Sequence, residues 1–213
     1  MGDEARALGA AEEAVELARV RVREEPSERP LLATCLANRA GVLLSAERFE
    51  EVISTAREAI RLLRELAERG GFERELASCR NNQGLAYHRL EKLDEAERSF
   101  REGIARLRPR GEQSPETHEP LPATVLLNLA ITLGASGRSG AALAATEEAL
   151  AIRESLFLCE RETYGPDLVV AYHNRSRKLW GLGRDSKAFE ASETAIRLLG
   201  PATSKGPRTT ART

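Results

Sequence analysis

Apolar and small residues recur along this chain at steps of three and four. In LLATCLANRAGVLLSA, Ala40 and Leu43 fall into that rhythm with polar residues between them, and the 3.6-residue spacing predicts a helix over about Leu32 to Ala46. A short turn, AERF, follows, and a second amphipathic helix is expected from about Glu50 to Glu68. RNNQGLAYHRLEKLDEA begins the same sequence of events again, although Asn and Gly are poor helix formers. Its spacing sets Leu85, His88 and Arg89 on one helical face and Ala86, Tyr87 and Leu90 on another.

The pattern is an internal repeat. Segments starting at Ala33, Ala77, Ala123 and Val169 align without gaps at offsets of 44, 46 and 46 residues. Asn38, Asn82, Asn128 and Asn174 share a column, as do the small residues Ala40, Gly84, Ala130 and Ser176, and the large residues Leu43, Tyr87, Leu133 and Leu179. In the second helices Val52, Ala96, Ala142 and Ala188 coincide, then Ala59, Gly103, Ala149 and Ala195, then Ile60, Ile104, Leu150 and Ile196. A partial copy, AEEAVELAR, precedes them at an offset of 45. Turns within units are marked by AERF, EKLD, ASGRS and GLGRD, and linkers between units by EEPSERP, RGGFE, RPRGEQSPETHEPLP and CERETYGPD. The expected organisation is one helical-repeat domain over 1–200, with a partial unit at about 3–30 and units at 31–74, 75–120, 121–166 and 167–200. The segment Ser114 to Pro122 reads as the mobile linker, and 201–213 as a disordered tail with almost no apolar residue.

A single helical hairpin cannot cover its own apolar faces, so the units are expected to stack. Small residues such as Gly84 and Ala96 then let backbones approach, and Tyr87 and Phe100 fill adjacent holes.

Composition narrows the chemistry. Ala, Leu, Glu and Arg dominate, only 4% of residues are aromatic, and the formal net charge is −1. This is an all-helical composition without the basic excess of a nucleic-acid footprint. VLLNLAITLGA is too short to span a bilayer, so no membrane partner is expected, and the N-terminus is no secretory signal. Three cysteines without a CxxC fit reduced thiols in a cytoplasmic protein, and the Ala- and Arg-rich composition suggests a bacterial source. No enzyme, cofactor or metal signature emerges. His88, His118 and His173 lie in different units or linkers, the paired carboxylates recur on one outer helix face, and GASGRSG lacks the lysine and strand of a phosphate loop.

NNQGLAYHRLEKLDEAERSFREGI resembles a tetratricopeptide repeat, with Gly84, Tyr87, Ala96 and Phe100 at the small and aromatic positions. The long period, with ALAIRESL followed by YGPDLVVAYHN, is similar to the repeats of kinesin light chain and its bacterial relatives. The resemblance covers about residues 3 to 199. Arg39, Gln83 and Arg175 stand where the pattern expects Leu, and only Leu129 complies. It implies an all-α, right-handed superhelical solenoid of antiparallel helix pairs, four full repeats plus an N-terminal half repeat, with the first helix of each pair on the concave wall.

The resemblance also places Asn38, Asn82, Asn128 and Asn174 in a groove, where a carboxamide matches the donor and acceptor of a peptide unit. The alternative is that these asparagines cap or bridge neighbouring first helices. One turn away, the specificity-setting residues would include Asn81, Leu85, His88 and Arg89, then Ile131, then His173, Arg177 and Trp180. Arg89 and Arg177 either pair with acidic side chains of a ligand or are solvated. Trp180 lines the groove or covers the last first-type helix.

The expected function is a non-catalytic scaffold binding a protein or peptide segment in the groove. The alternative is a regulatory or sensor module that controls an effector, such as a transcription factor or protease, through a peptide-dependent change of the superhelix. The unmatched helix of Asp3 to Glu25 is a cap, the remnant of a larger array, or the interface of a homodimer.

Overall fold

In the computed structural model, which describes residues 2–68, 70–107 and 120–199, the fold is all helical. The described residues form nine α-helices: α1 (Gly2–Glu24), α2 (Arg29–Ser45), α3 (Phe49–Ala67), α4 (Glu73–Arg89), α5 (Leu93–Leu107), α6 (Leu121–Ala135), α7 (Ser139–Cys159), α8 (Arg161–Trp180) and α9 (Asp185–Leu199). A single 3-10 turn, Pro26–Glu28, joins α1 to α2. After α1 the helices pair as α2/α3, α4/α5, α6/α7 and α8/α9, each packed on the next in chain order.

The aligned columns become the core. Val52, Ala96, Ala142 and Ala188 are all buried, as are Ala59, Gly103, Ala149 and Ala195. Leu43, Leu133 and Leu179 are buried in the first-type helices, while Tyr87 in the same column is half-buried between two apolar clusters. Gly84 is a close-approach position: a Cβ built on it would lie 2.6 Å from the Phe100 ring, which is itself fully buried. The aromatic ring therefore occupies the space that glycine leaves open.

The turn inside every pair is the same device. Glu47, Glu91, Gly137 and Gly183 occupy one column and all adopt the left-handed conformation, with φ of 56°, 59°, 75° and 67°. The next residue's N–H reaches back to Leu43, Tyr87, Leu133 and Leu179 respectively, at 2.9–3.0 Å. This closes the orphan carbonyls at each helix end by a Schellman-type arrangement. Glycine accepts that conformation without steric cost and glutamate does not, so two of the four turns carry local strain.

Curvature follows from which helices touch. Among the described residues α2 contacts α4 and α4 contacts α6, whereas no second-type helix contacts the next second-type helix. From α2 to α6 the first-type helices thus form the tighter, inner layer, and the second-type helices splay apart over clefts on the outside.

Two expectations about linkers change. CERETYGPD is not a loop: α7 runs to Cys159, Glu160 alone is extended (φ −146°, ψ 92°), and α8 starts at Arg161 with Pro166 inside it. The carbonyl that the missing N–H of Pro166 leaves behind belongs to Glu162, and both residues are exposed to water, so the helix tolerates the proline. Most of the expected mobile linker, and the expected tail, lie outside the described residues; within that linker only Pro120 to Pro122 are described, and α6 already begins at Leu121.

Candidate functional site

The inner layer carries the sequence-derived candidates. Leu85, His88 and Arg89 from α4 and Asn128 and Ile131 from α6 line one pocket of about 310 Å³, together with Leu44 and Phe49 at the α2–α3 turn. The 3.6-residue spacing put the three α4 residues on one face, and the contact of α4 with both α2 and α6 sets that face opposite its neighbours. Ile131 is half exposed there, so the floor is apolar and open. Leu85 and Ile131 stand in one column, and Arg177 continues it.

The asparagines divide. Asn128 Nδ2 donates to Asn81 Oδ1 at 2.8 Å, which ties α6 to α4, and Asn81 is buried. At this rung the bridging role is filled within the chain. Beside it, His88 Nδ1 lies 3.1 Å from Thr132 Oγ1, which also donates to the Asn128 carbonyl. The side-chain amides of Asn38, Asn82 and Asn174 have no hydrogen-bond partner among the described residues, and Asn38 is exposed. Asn82 Nδ2 sits above Gly41, 3.8 Å from where a Cβ would stand.

The arginines also divide. Arg89 is already engaged: it bonds Glu47 at 3.0 Å, and its guanidinium lies 5.6 Å from the Phe49 ring centroid. Arg177 lines a second space of about 350 Å³ between α6 and α8, with Ile131, Gly134 and Lys178. Lys178 Nζ lies over Gly134, where a Cβ would be only 2.6 Å away. Burial, then the charge of Arg177, pushes the Lys178 ammonium down from its ordinary value. His173 and Trp180 are exposed, Trp180 at 69%, and line neither pocket, so Trp180 does not cover the core.

Phe49 and Thr132 line the first pocket without being sequence candidates; Glu47, which holds Arg89, and Lys178, one position off the predicted face, also take part. Thr132 and Lys178 share a column with Val42 and Ala86, one step off the predicted face, and only their polarity in an apolar column signals them. Glu47 and Phe49 flank a turn that periodicity does not describe.

The thiols follow burial. Cys79 is fully buried, and burial first, then the charge of Glu75, pushes its thiol up to about 12; Cys159 is exposed. Among the described residues no group of three or more His, Cys, Asp or Glu is placed to hold a metal, and no helix is long and apolar enough to cross a membrane.

Residues 76–108 and 123–157 match the family model for the tetratricopeptide repeat, and they coincide with α4/α5 and α6/α7. These two helix pairs are tetratricopeptide repeats. The chain's repeat array is similar to several solved structures. One is BtubC from P. vanneervenii, 20% identical over 99% of this chain and 96% of that one, with a TM-score of 0.56. Another is a Podosopora anserina putative kinesin light chain with nearly identical TPR-like repeats, 18% identical over 92% and 91%, with a TM-score of 0.63. A third is a Rap protein complexed with Competence and Sporulation Factor, 16% identical over 92% of this chain, with a TM-score of 0.63; the match spans 50% of that chain. At these identities the likeness is one of fold. Comparison with the curated proteins returns no match. The tetratricopeptide solenoid is typical of protein-interaction scaffolds.

Proposed function

We propose that the protein is a non-catalytic adaptor whose inner layer binds an extended segment of a partner protein or a peptide. One observation carries the reading. The amides of Asn38, Asn82 and Asn174 have no hydrogen-bond partner among the described residues, and they share the column of Asn128, which lines an open pocket with Leu85, His88 and Ile131. A free carboxamide offers two N–H donors and two acceptor lone pairs to a peptide backbone, and the pocket takes an apolar side chain beside it. Arg177 and Lys178 leave the far end of this layer cationic, which suits an acidic residue or a free carboxylate of the ligand.

The test is selection of peptides from a displayed random library on the full chain, followed by calorimetry with the selected peptide. Binding weakened by Asn82→Ala/Asn174→Ala and by Ile131→Asp, in variants with unchanged helical content, supports the reading. A selected peptide whose affinity is untouched by both variants overturns it.

A regulatory form of the same reading draws on the Rap neighbour, solved with a factor bound. Here the backbones of α6 and α8 do not approach closely, unlike the earlier first-type helices, and Lys178 reaches across to Gly134, so a ligand between them would alter their spacing. Small-angle scattering with and without the selected peptide distinguishes a passive adaptor from a sensor. The exposed Leu17 and Val20 on α1 offer a face for a second copy, which sedimentation tests directly.

A further inference from the structure

The splayed outer helices build the same cleft three times. Between α3 and α5, over α4, lies a space of about 630 Å³. Every residue lining the next cleft, between α5 and α7 over α6, stands 44 or 46 positions after a residue lining this one. The cleft beneath α1 follows the same columns, 44 or 45 positions earlier. Three equivalent clefts in one chain separate what the fold needs from what one site adds.

The fold needs little charge there. In the α5/α7 cleft the floor is Leu126, Leu129 and Leu133, and the wall includes Ala141, Ala144 and Ala145. In the α1 cleft charge is present but answered internally. Arg39 donates to Thr55 at 3.0 Å and lies 3.6 Å from Glu12, while Arg19 bonds Glu16 and Glu58, each at 2.9 Å. The middle cleft replaces the leucine floor by Arg80, Gln83 and Tyr87, and the alanine wall by Glu95, Arg98 and Ser99.

Its positive charge is not neutralised. Five arginines line it against Glu65, Glu95 and Glu102. Glu65 pairs outward with Arg29 at 3.4 Å, and Glu102 is shared by Arg64 and Arg80. Arg57, Arg61 and Arg98 have neither hydrogen bond nor ion pair among the described residues, and Glu95 is the acid left facing them. Gln83 is 4% exposed, and its carbonyl oxygen accepts from Arg80 at 2.9 Å and from Ser99 at 3.4 Å. The opposite end of that buried carboxamide is a donor without a partner in the cleft it lines. Burial, with the charges of Arg64 and Arg106, lowers the Arg80 guanidinium from its ordinary value against the pull of Glu102.

We propose that this cleft binds a phosphoryl-bearing anion, held by Arg57, Arg61 and Arg98 at the rim and by the Gln83 amide at the floor. The free groups are nearly all donors. A phosphoryl group supplies two negative charges and three acceptor oxygens, which matches several guanidiniums better than one carboxylate does. The volume suits a small phosphorylated molecule or one phosphorylated residue of a partner. This site lies on the outer side and is independent of the inner-layer reading.

The probes are inorganic pyrophosphate and a phosphoserine peptide, each titrated into the full chain by calorimetry. Single-site binding is expected for at least one of them. Loss of one charged hydrogen-bonding partner, by Arg61→Ala or Arg98→Ala, should weaken it about tenfold. Both variants should melt like wild type, because neither side chain makes a hydrogen bond or ion pair among the described residues, and Arg23→Ala on α1 should leave binding unchanged. Pyrophosphate binding identifies a free small anion as the source; binding of the phosphopeptide alone identifies a modified partner. The assignment is overturned if neither probe binds saturably, if Arg23→Ala weakens binding equally, or if the same peptide with glutamate in place of phosphoserine binds as well.

Discussion

The earlier helix pairs and the last one share one set of columns and differ in what covers them. Ile104 on α5 is 8% exposed beneath α6, whereas Ile196, the same residue type in the same column on α9, is 67% exposed. Leu63 on α3 is fully buried, and its counterpart Leu199 is 68% exposed. Leu143 and Phe189 show the same reversal. Burial in this array is therefore conferred by the next first-type helix rather than by the side chain itself. The described end of the solenoid presents the face that every earlier pair hides.

Truncating the two isoleucines gives the largest contrast. Ile104→Ala should cost about 2–5 kcal/mol, because it removes buried methyl groups and leaves a cavity. Ile196→Ala should stay within about 0.5 kcal/mol. Chemical denaturation measures both, and equal losses would mean that α9 is covered in solution.

Two glycines of the inner helices sharpen the point at smaller scale. Gly84→Ala forces a Cβ into the Phe100 ring and should cost about 1–3 kcal/mol. Gly41→Ala meets only the Asn82 amide at 3.8 Å, and should be neutral or stabilise by up to about 1 kcal/mol through helix propensity. Thermal melts of the pair decide whether close approach is confined to the glycine under an aromatic.

Glu97 stands in the column of Ile53, Leu143 and Phe189, mostly buried between α5 and Arg138 at the start of α7. Burial pushes its carboxyl up, but the hydrogen bonds from Arg101 and Arg138 outweigh this and hold it below the ordinary glutamate value. A depressed folded-state value means a contribution present above the ordinary range and lost as pH falls below it. Glu97→Leu should abolish that part of the acid sensitivity while changing neutral-pH stability by no more than about 1–2 kcal/mol. Denaturation at pH 7 and pH 3.5 tests it; an unchanged pH dependence would assign the acid sensitivity to other carboxylates.

The smallest effect is on reactivity alone. At pH 8 iodoacetamide should label the exposed Cys159 and leave Cys79 unmodified until the protein unfolds, because burial keeps the Cys79 thiol protonated. Peptide mass analysis reads the order of labelling.

Much of the fold was legible from the chain because repetition averages over local exceptions. Two asparagines and a glycine in α4 look hostile to a helix, yet four aligned copies identify the segment as a first-type helix. The same alignment found the Gly84 contact and the face that gathers Leu85, His88 and Arg89. It misread CERETYGPD as a linker, because Pro166 falls in the exposed early part of α8, where the helix tolerates it. It did not see Arg89 bound by Glu47, and it offered bridging between first helices for Asn128 without identifying Asn81 as the partner, since those partners lie 42 and 47 residues away.

By itself the sequence determined the helices, the pairing of first and second types, and which columns must be apolar or small, because these depend on periodicity and on local turn geometry. Only the tertiary structure decided which polar groups remain free. A donor's partner is set by distance across neighbouring helices, and among the described residues packing left Arg57, Arg61 and Arg98 unanswered while Arg39 and Arg19 were paired. It also decided that Ile196 is a surface residue, since exposure depends on the helix that arrives next and not on the residue that waits for it.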